Sequence, residues 1–378
     1  MGPENNRKII QKMPDPKKIL IVKLSAIGDV VHSLPFLEVL RGGFPGASID
    51  WIVEEDASQI IMGHPALDRV LVSRRKSWQK KLVKGPERLS AISEIRELVR
   101  RLRSRKYDIV IDLQGLFKSG MLVGMCKAEK KIGMEGGREG GHLFLNERPV
   151  PVDYEQHAVE RYLQIAAYLG CNSTRWEGEI PVYEANRRDV DYLFDESISG
   201  RRPVIAMNPI AKWDTKLWQE ARFAKLADRL IRELNCDIIF TGSSPDIPVI
   251  KKISKRMQER SLNLAGKTGL KELACLYAKC RVVITTDTGP MHIAAAMGCP
   301  VVALFGPTSP KRTGPYGQGH RVIKAEIECS PCFMKRCDHM SCMKEITVDA
   351  VFEAVSDTLK EPRRDWGGKI SVDHQREI

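Results

Sequence analysis

Two doubly wound α/β domains are predicted by three features of the sequence. Short runs rich in β-branched residues alternate with helical patterns, which argues for parallel sheets covered by helices. At 378 residues the chain is too long for one ordinary core. The alternation is interrupted by a polar, Arg- and Asp-rich stretch, "EANRRDVDYLFDESISGRRP" (184–203), and restarts beyond it. In order, the first half gives strands at 19–23 (ILIVK), 48–53 (SIDWIV), 69–73 (RVLVS) and 107–113 (YDIVIDL), then a helix from Ala158. The second half gives strands at 204–209, 236–242, 281–286 and 300–306, with helices near 219–234, 246–260 and 289–297 and another over "LKELACLYAKC". The expected division is a leader at 1–17, a first domain at 18–184, a linker at 185–202, a second domain at 203–346, a terminal helix at 347–362 and a tail at 363–378. In sheets of this kind ligands bind beyond the carboxyl ends of the strands, so the loops that directly follow strands carry the information.

Composition narrows the class. The most apolar window, 282–306, is interrupted by Asp287, Pro290, His292 and Pro300, so no segment meets the membrane-span criterion. The start, "MGPENNRKIIQKMPDP", has no apolar run long enough for a signal peptide, and a cytoplasmic protein is expected. Six of the ten cysteines are scattered through apolar segments, as buried cysteines usually are. The net charge of +12 implies an acidic partner and is concentrated: Arg74 to Lys106 holds thirteen Lys and Arg against three Glu. Such a run suits nucleic acid, anionic lipid or an anionic glycan, or is a solvated helix face. Only Trp78 and Tyr107 lie in or beside it, too few aromatics for base stacking, so no nucleic-acid partner is expected.

Four loops could carry chemistry. In "KILIVKLSAIGDVVHSLP" the first strand runs into a loop with one glycine, Gly28, followed by Asp29. A dinucleotide loop would show G-x-G-x-x-G, and a diphosphate here would be repelled by the carboxylate. Asp29 as a helix N-cap is the plain alternative. In "TTDTGPMHIAAAMG", Asp287 and Thr288 are good N-cap types, Gly289 allows close backbone approach and Pro290 suits the first turn. Such a helix end favours an anion by about 0.3–1 kcal/mol. His292 could add a donor to the same oxygens, or sit on an apolar face. In "AKWDTKLW", Lys212 and Lys216 stand beside Trp213 and Trp218, as point charges for a phosphate or as surface lysines between packing rings. "DLQGLFKSG" offers Asp112, Gln114 and Lys118 at the rim, where the Gln and Lys could bind hydroxyls or a carboxylate of a second substrate or be ordinary loop residues. A further cluster, "CSPCFMKRCDHMSC", holds Cys329, Cys332, Cys337 and Cys342 with His339. Its C-x2-C start fits a zinc or redox site, but no second C-x2-C or H-x3-H follows, and a structural loop of thiols is the other possibility.

Together these segments resemble glycosyltransferase family 9, the ADP-heptose:lipopolysaccharide heptosyltransferases. The resemblance rests on "VKLSAIGDVVHSLP", "DLQGLFKSG", "HAVERY", "NP...KWDTKLW" and "TDTGPMHIAAAMGCPVVALFGPTSP", in that order, from about Lys18 to about Leu359. It implies a GT-B fold: two Rossmann-like domains facing across a cleft, the nucleotide sugar on the second, the acceptor on the first, and a C-terminal helix crossing back to the first. It also implies transfer of heptose from ADP-L-glycero-D-manno-heptose to Kdo of the lipopolysaccharide inner core, with inversion and without a metal or cofactor. By the same matching, Asp29 is the general base and Lys216 neutralises the departing ADP. Thr288, Gly289 and His292 bind its diphosphate, Asp287 contacts the sugar or orders the loop, and Asn208 and Lys212 complete the donor side. Ser25, Gly28, Gln114, Lys118, Arg74 and Arg75 face a Kdo-lipid A acceptor, whose anionic groups account for the basic run and for attachment to the anionic cytoplasmic face of the inner membrane.

Within the family, "SAIGDVVHSLP" and "HAVERY" point to the enzyme that adds the first heptose, while the cysteine tail points to the one that adds the second. The first type is the expectation, the second the alternative. A nucleotide-sugar epimerase or hydrolase of similar fold would instead consume donor without acceptor.

Overall fold

The computed structural model describes residues 15–83, 86–195, 198 and 202–362. Most of the expected leader, part of the expected linker and the whole tail at 363–378 fall outside them. The chain divides into two compact units with the boundary between Gly178 and Glu179.

In the first unit the strands among the described residues are β1 (Lys18–Val22), β2 (Ser48–Glu54), β3 (Arg69–Ser73), β4 (Lys106–Asp112) and β5 (Lys127–Gly133). They form one parallel sheet in the order β3-β2-β1-β4-β5. Ile19, Leu20, Ile21 and Val22 of the central strand are fully buried, as expected for a strand with helices on both faces. β5, "KAEKKIG", was not expected from sequence; as an edge strand it keeps Lys and Glu at alternate positions and shows no apolar run.

The second unit repeats the design with β6 (Val204–Asn208), β7 (Asp237–Phe240), β8 (Leu262–Asn263), β9 (Val282–Thr286), β10 (Val301–Phe305) and β11 (Arg321–Lys324), ordered β11-β10-β9-β6-β7-β8. The helix Glu220–Leu234 shows how sequence sets this layer. Phe223, Leu226, Ala227 and Leu230 recur at helical spacing and are buried on the sheet, and Asn235 ends the helix in the left-handed region at φ 49°.

Two expectations on domain limits are corrected. The helix Glu184–Asp195, in the stretch expected as a helix plus linker between the domains, belongs to the second unit and packs on the helix Leu270–Lys279: Asn186 donates to Glu272 at 2.5 Å, and the Lys279 ammonium lies 5.5 Å from the centre of the Phe194 ring. The terminal helix, Val348–Lys360, is capped by the Thr347 hydroxyl, which accepts the Ala350 N–H at 3.1 Å. It was expected to cross to the first domain, but Val351, Phe352 and Val355 are buried in the core of the second unit, with the Arg229 guanidinium 3.8 Å from the Phe352 ring centre. Its apolar face is committed to that core.

Candidate active site

Strand order reverses between β1 and β4 in the first sheet and between β6 and β9 in the second. In a doubly wound sheet the loops leaving such a pair of strands diverge, and the crevice between them is the usual ligand position. All four candidate loops leave those strands.

At the first crevice, Gly28 and Asp29 lie inside the helix Ile27–Val31 rather than ahead of it. Asp29 is therefore not the N-cap: its Oδ2 turns back to accept the Ala26 N–H at 3.0 Å, and the side chain stays half-buried. Behind it Lys23 is buried, its Nζ donating to the Leu113 carbonyl at 2.9 Å and lying 4.9 Å from the centre of the Tyr162 ring. Burial disfavours this ammonium, but Tyr162, Asp29 and Asp112 outweigh it and its pKa rises. Lys23 is thus a fixed positive charge behind the crevice.

The loop after β4 is organised from within. Asp112 Oδ1 accepts the N–H groups of Gln114 (2.8 Å) and Gly115 (3.1 Å), and Oδ2 accepts the Ser119 hydroxyl (2.9 Å). Burial raises the Asp112 pKa against the pull of these donors and of Lys23. Gly115 makes the turn at φ +66°, a conformation that a side chain would strain. Gln114 Oε1 accepts from the N–H groups of Leu24 (3.2 Å) and Ser25 (3.1 Å), so this residue, expected to bind acceptor, has its carbonyl occupied in tying the two loops together. Lys118 reaches Ser25 Oγ at 2.8 Å and Glu54 Oε1 at 3.1 Å, and Arg75 joins the same Glu54 oxygen at 2.9 Å. Glu54, at the end of β2 and 4% exposed, holds both cations in place and escaped the sequence reading; its position at a strand terminus is the signal that could have found it. Arg74 does not join the group and makes an exposed pair with Glu55 at 3.0 Å.

At the second crevice one carboxylate oxygen gathers two loops. Asp287 Oδ2 receives Lys216 Nζ at 2.5 Å and the Thr308 hydroxyl at 2.6 Å, with Lys216 only 15% and Asp287 7% exposed. The lysine ammonium also lies 4.5 Å from the centre of the Trp213 ring. Beside this cluster starts the helix Gly289–Ala296. Its N-cap Thr288 makes no side-chain capping bond, so the positive end of the helix is not claimed by its own cap. Asn208 is buried and donates to Thr241 O at 3.1 Å, bracing β6 to β7, whereas Lys212 is exposed on the adjoining loop. His292, in the first turn of this helix, is 6% exposed, about as buried as Asp287.

Thr308 was missed as a site residue because it meets Asp287 only through the fold. Its replacement by Val should remove one hydrogen bond to a charged group and destabilise the protein by about 1.5–3 kcal/mol. Thr308→Ser should keep the bond, and urea midpoints of the two variants measure the difference. Equal midpoints would deny the hydroxyl this role.

The four clustered cysteines are free thiols lining one cavity with Thr215, Pro307 and His339. Among the described residues no group of three or more His, Cys, Asp or Glu side chains is placed to hold a metal ion. The loop braces the second crevice instead: Thr215 donates to Met334 O at 2.9 Å, and the Phe333 N–H donates to Pro307 O at 2.7 Å.

Solved structures share this architecture. The structure described as Escherichia coli heptosyltransferase WaaC with ADP aligns at a TM-score of 0.71 and 27% identity, covering 90% of this chain and 99% of that one. The protein is a glycosyltransferase of GT-B fold. A family profile described as glycosyltransferase family 9 (heptosyltransferase) matches residues 95–343. Lipopolysaccharide heptosyltransferase 1 of Pseudomonas aeruginosa is 31% identical over 329 residues, covering 85% of this chain and 88% of the relative. Lipopolysaccharide heptosyltransferase 2 of Escherichia coli K12 is 30% identical over 319 residues, covering 81% and 88%. The chain belongs to glycosyltransferase family 9.

Proposed function

We propose that this protein transfers L-glycero-D-manno-heptose from ADP-heptose to a Kdo sugar of the lipopolysaccharide inner core, with inversion. The observation that carries this is the Lys216–Asp287–Thr308 cluster beside a helix end that its own N-cap leaves free. Lys216 and the helix end supply positive potential for a diphosphate, and the relative solved with ADP supports a nucleotide donor here. On the first unit, Lys118 and Arg75 offer cations to the acceptor's carboxylates, and Asp29 offers a base.

In the reaction the acceptor oxygen forms a bond to the anomeric carbon as the bond from that carbon to the diphosphate oxygen breaks. The acceptor proton passes to Asp29, and the charge developing on ADP meets Lys216 and the helix amides. The membrane that carries the acceptor places the protein at the cytoplasmic face of the inner membrane; no helix among the described residues is long and apolar enough to cross it.

Transfer is tested with ADP-heptose and deacylated Kdo-lipid A in EDTA. A product one heptose heavier, with the anomeric configuration opposite to that of the donor, is the expected result. Product only from an acceptor that already carries one heptose would move the assignment to the second type, which relatives of both types at nearly equal identity keep in view. Reaction with a different nucleotide sugar alone would overturn the donor.

A further inference from the structure

The cysteine-rich loop meets the second crevice through three consecutive residues, and the third of them takes no part in the Asp287 cluster. Phe333 donates its N–H to Pro307 O at 2.7 Å, and Pro307 precedes Thr308, whose hydroxyl reaches Asp287. The carbonyl of Met334 accepts the Thr215 hydroxyl at 2.9 Å, and Thr215 precedes Lys216. Lys335 follows, with its ammonium 5.3 Å from the centre of the Trp213 ring. The loop is thus fastened, residue by residue, to both segments that build the cluster. Ser330 adds a further tie by donating its hydroxyl to Gly306 O at 2.7 Å. The backbone at Phe333 takes φ +56°, a left-handed conformation uncommon for a residue with a side chain, and these bonds hold it there.

Trp213 therefore carries two cations. Lys216 lies 4.5 Å from its ring centre and Lys335 5.3 Å from the same point. The ring attracts each of them, but two ammonium groups brought to one ring repel each other. Lys216 has Asp287 as its counter-charge, whereas Lys335 makes no ion pair among the described residues. The Lys335 side chain is exposed, so its ammonium is open to a ligand. An ordinary surface lysine could be carried away from a like charge by its own loop; this one springs from a backbone that Phe333 and Met334 fix. A diphosphate entering at Lys216 and the start of the helix Gly289–Ala296 carries more negative charge than one lysine neutralises, and it would meet both ammonium groups.

We infer that Lys335 is a donor-binding residue: together with Lys216 it holds the diphosphate of the nucleotide, and the cysteine-rich loop is the element that delivers it. The inference rests on the proposed placement of the donor at Lys216. The two lysines differ in what they do there. Lys216, paired with Asp287, is positioned for the charge that grows on the leaving group. Lys335 meets a diphosphate that is charged before transfer as well as during it, so it contributes to binding in the ground state and the transition state alike. Its loss should appear in KM for ADP-heptose far more than in kcat.

Calorimetric titration of the purified full chain with ADP and with adenosine, beside steady-state kinetics, tests this. Lys335→Gln should weaken ADP binding about tenfold or more, as expected for a hydrogen bond to a charged group, and should flatten the dependence of ADP affinity on salt. Adenosine should bind as it does to the wild type. Lys335→Arg should restore most of the ADP affinity, and Lys335→Glu should lower it further than Lys335→Gln does. An unchanged ADP affinity in Lys335→Gln, while Lys216→Ala still weakens it, would overturn the inference and leave the donor placement standing. Equal losses for ADP and adenosine, or no rescue by arginine, would also overturn it and make Lys335 a brace for Trp213. ADP binding that neither lysine variant alters would overturn the inference and the donor placement together.

Discussion

Asp29→Asn is expected to lower turnover by about 10²- to 10⁴-fold, the usual contribution of a positioned general base. The amide can still accept the Ala26 N–H through its oxygen, so the first turn of the helix and the half-buried position should survive. What is lost is the ability to take the acceptor proton. ADP affinity should stay within about twofold, because the diphosphate is assigned to the other unit. Steady-state kinetics paired with calorimetric titration of ADP separate these outcomes. A variant that turns over normally removes Asp29 from the mechanism, and one that also loses ADP binding places the nucleotide near the first crevice.

Lys216→Ala should act on both sides of that division. Removing a preorganised cation from a developing negative charge costs on the order of 10²- to 10³-fold in turnover, as loss of a comparable donor does elsewhere, and ADP should bind more weakly too. The ion pair with Asp287 adds a complication that the structure makes testable. Taking away the lysine leaves a carboxylate that is 7% exposed and still accepts the Thr308 hydroxyl, and breaking a buried pair in this way costs about 3–5 kcal/mol. The single variant should therefore be less stable as well as slower. Lys216→Ala combined with Asp287→Asn removes the stranded charge: stability should return and turnover should not. Recovery of turnover along with stability would reduce the pair to a structural brace.

Residues with a local signature were legible in the sequence, and residues that act at long range were not. Strands β1, β6, β9 and β10 stand out because burial on both faces demands contiguous apolar side chains; β5 and β11 do not, since an edge strand keeps alternate polar positions. Asp29, Lys216 and Asp287 drew attention because each lies in a segment that leaves the end of a strand. Glu54 and Thr308 did not, as their meaning depends on Lys118, 64 residues away, and on Asp287, 21 residues away. The same limit works in the other direction. A polar side chain after a strand looks alike in sequence whether it faces ligand or ties two loops together, and the carbonyl of Gln114 and the amide of Asn208 do the latter. The terminal helix was assigned to the wrong unit for a related reason: an amphipathic pattern announces a buried face without naming the core that buries it.

The proposed transfer needs an acceptor-side base and a donor-side cation acting on one reaction. Release of ADP from ADP-heptose by the purified protein in EDTA, with and without deacylated Kdo-lipid A, tests that most directly. Release that requires the acceptor is the predicted result, because Asp29 has a proton to remove only when an acceptor hydroxyl is present. Equal release without it would mean that water serves as the nucleophile, and would contradict the transfer mechanism.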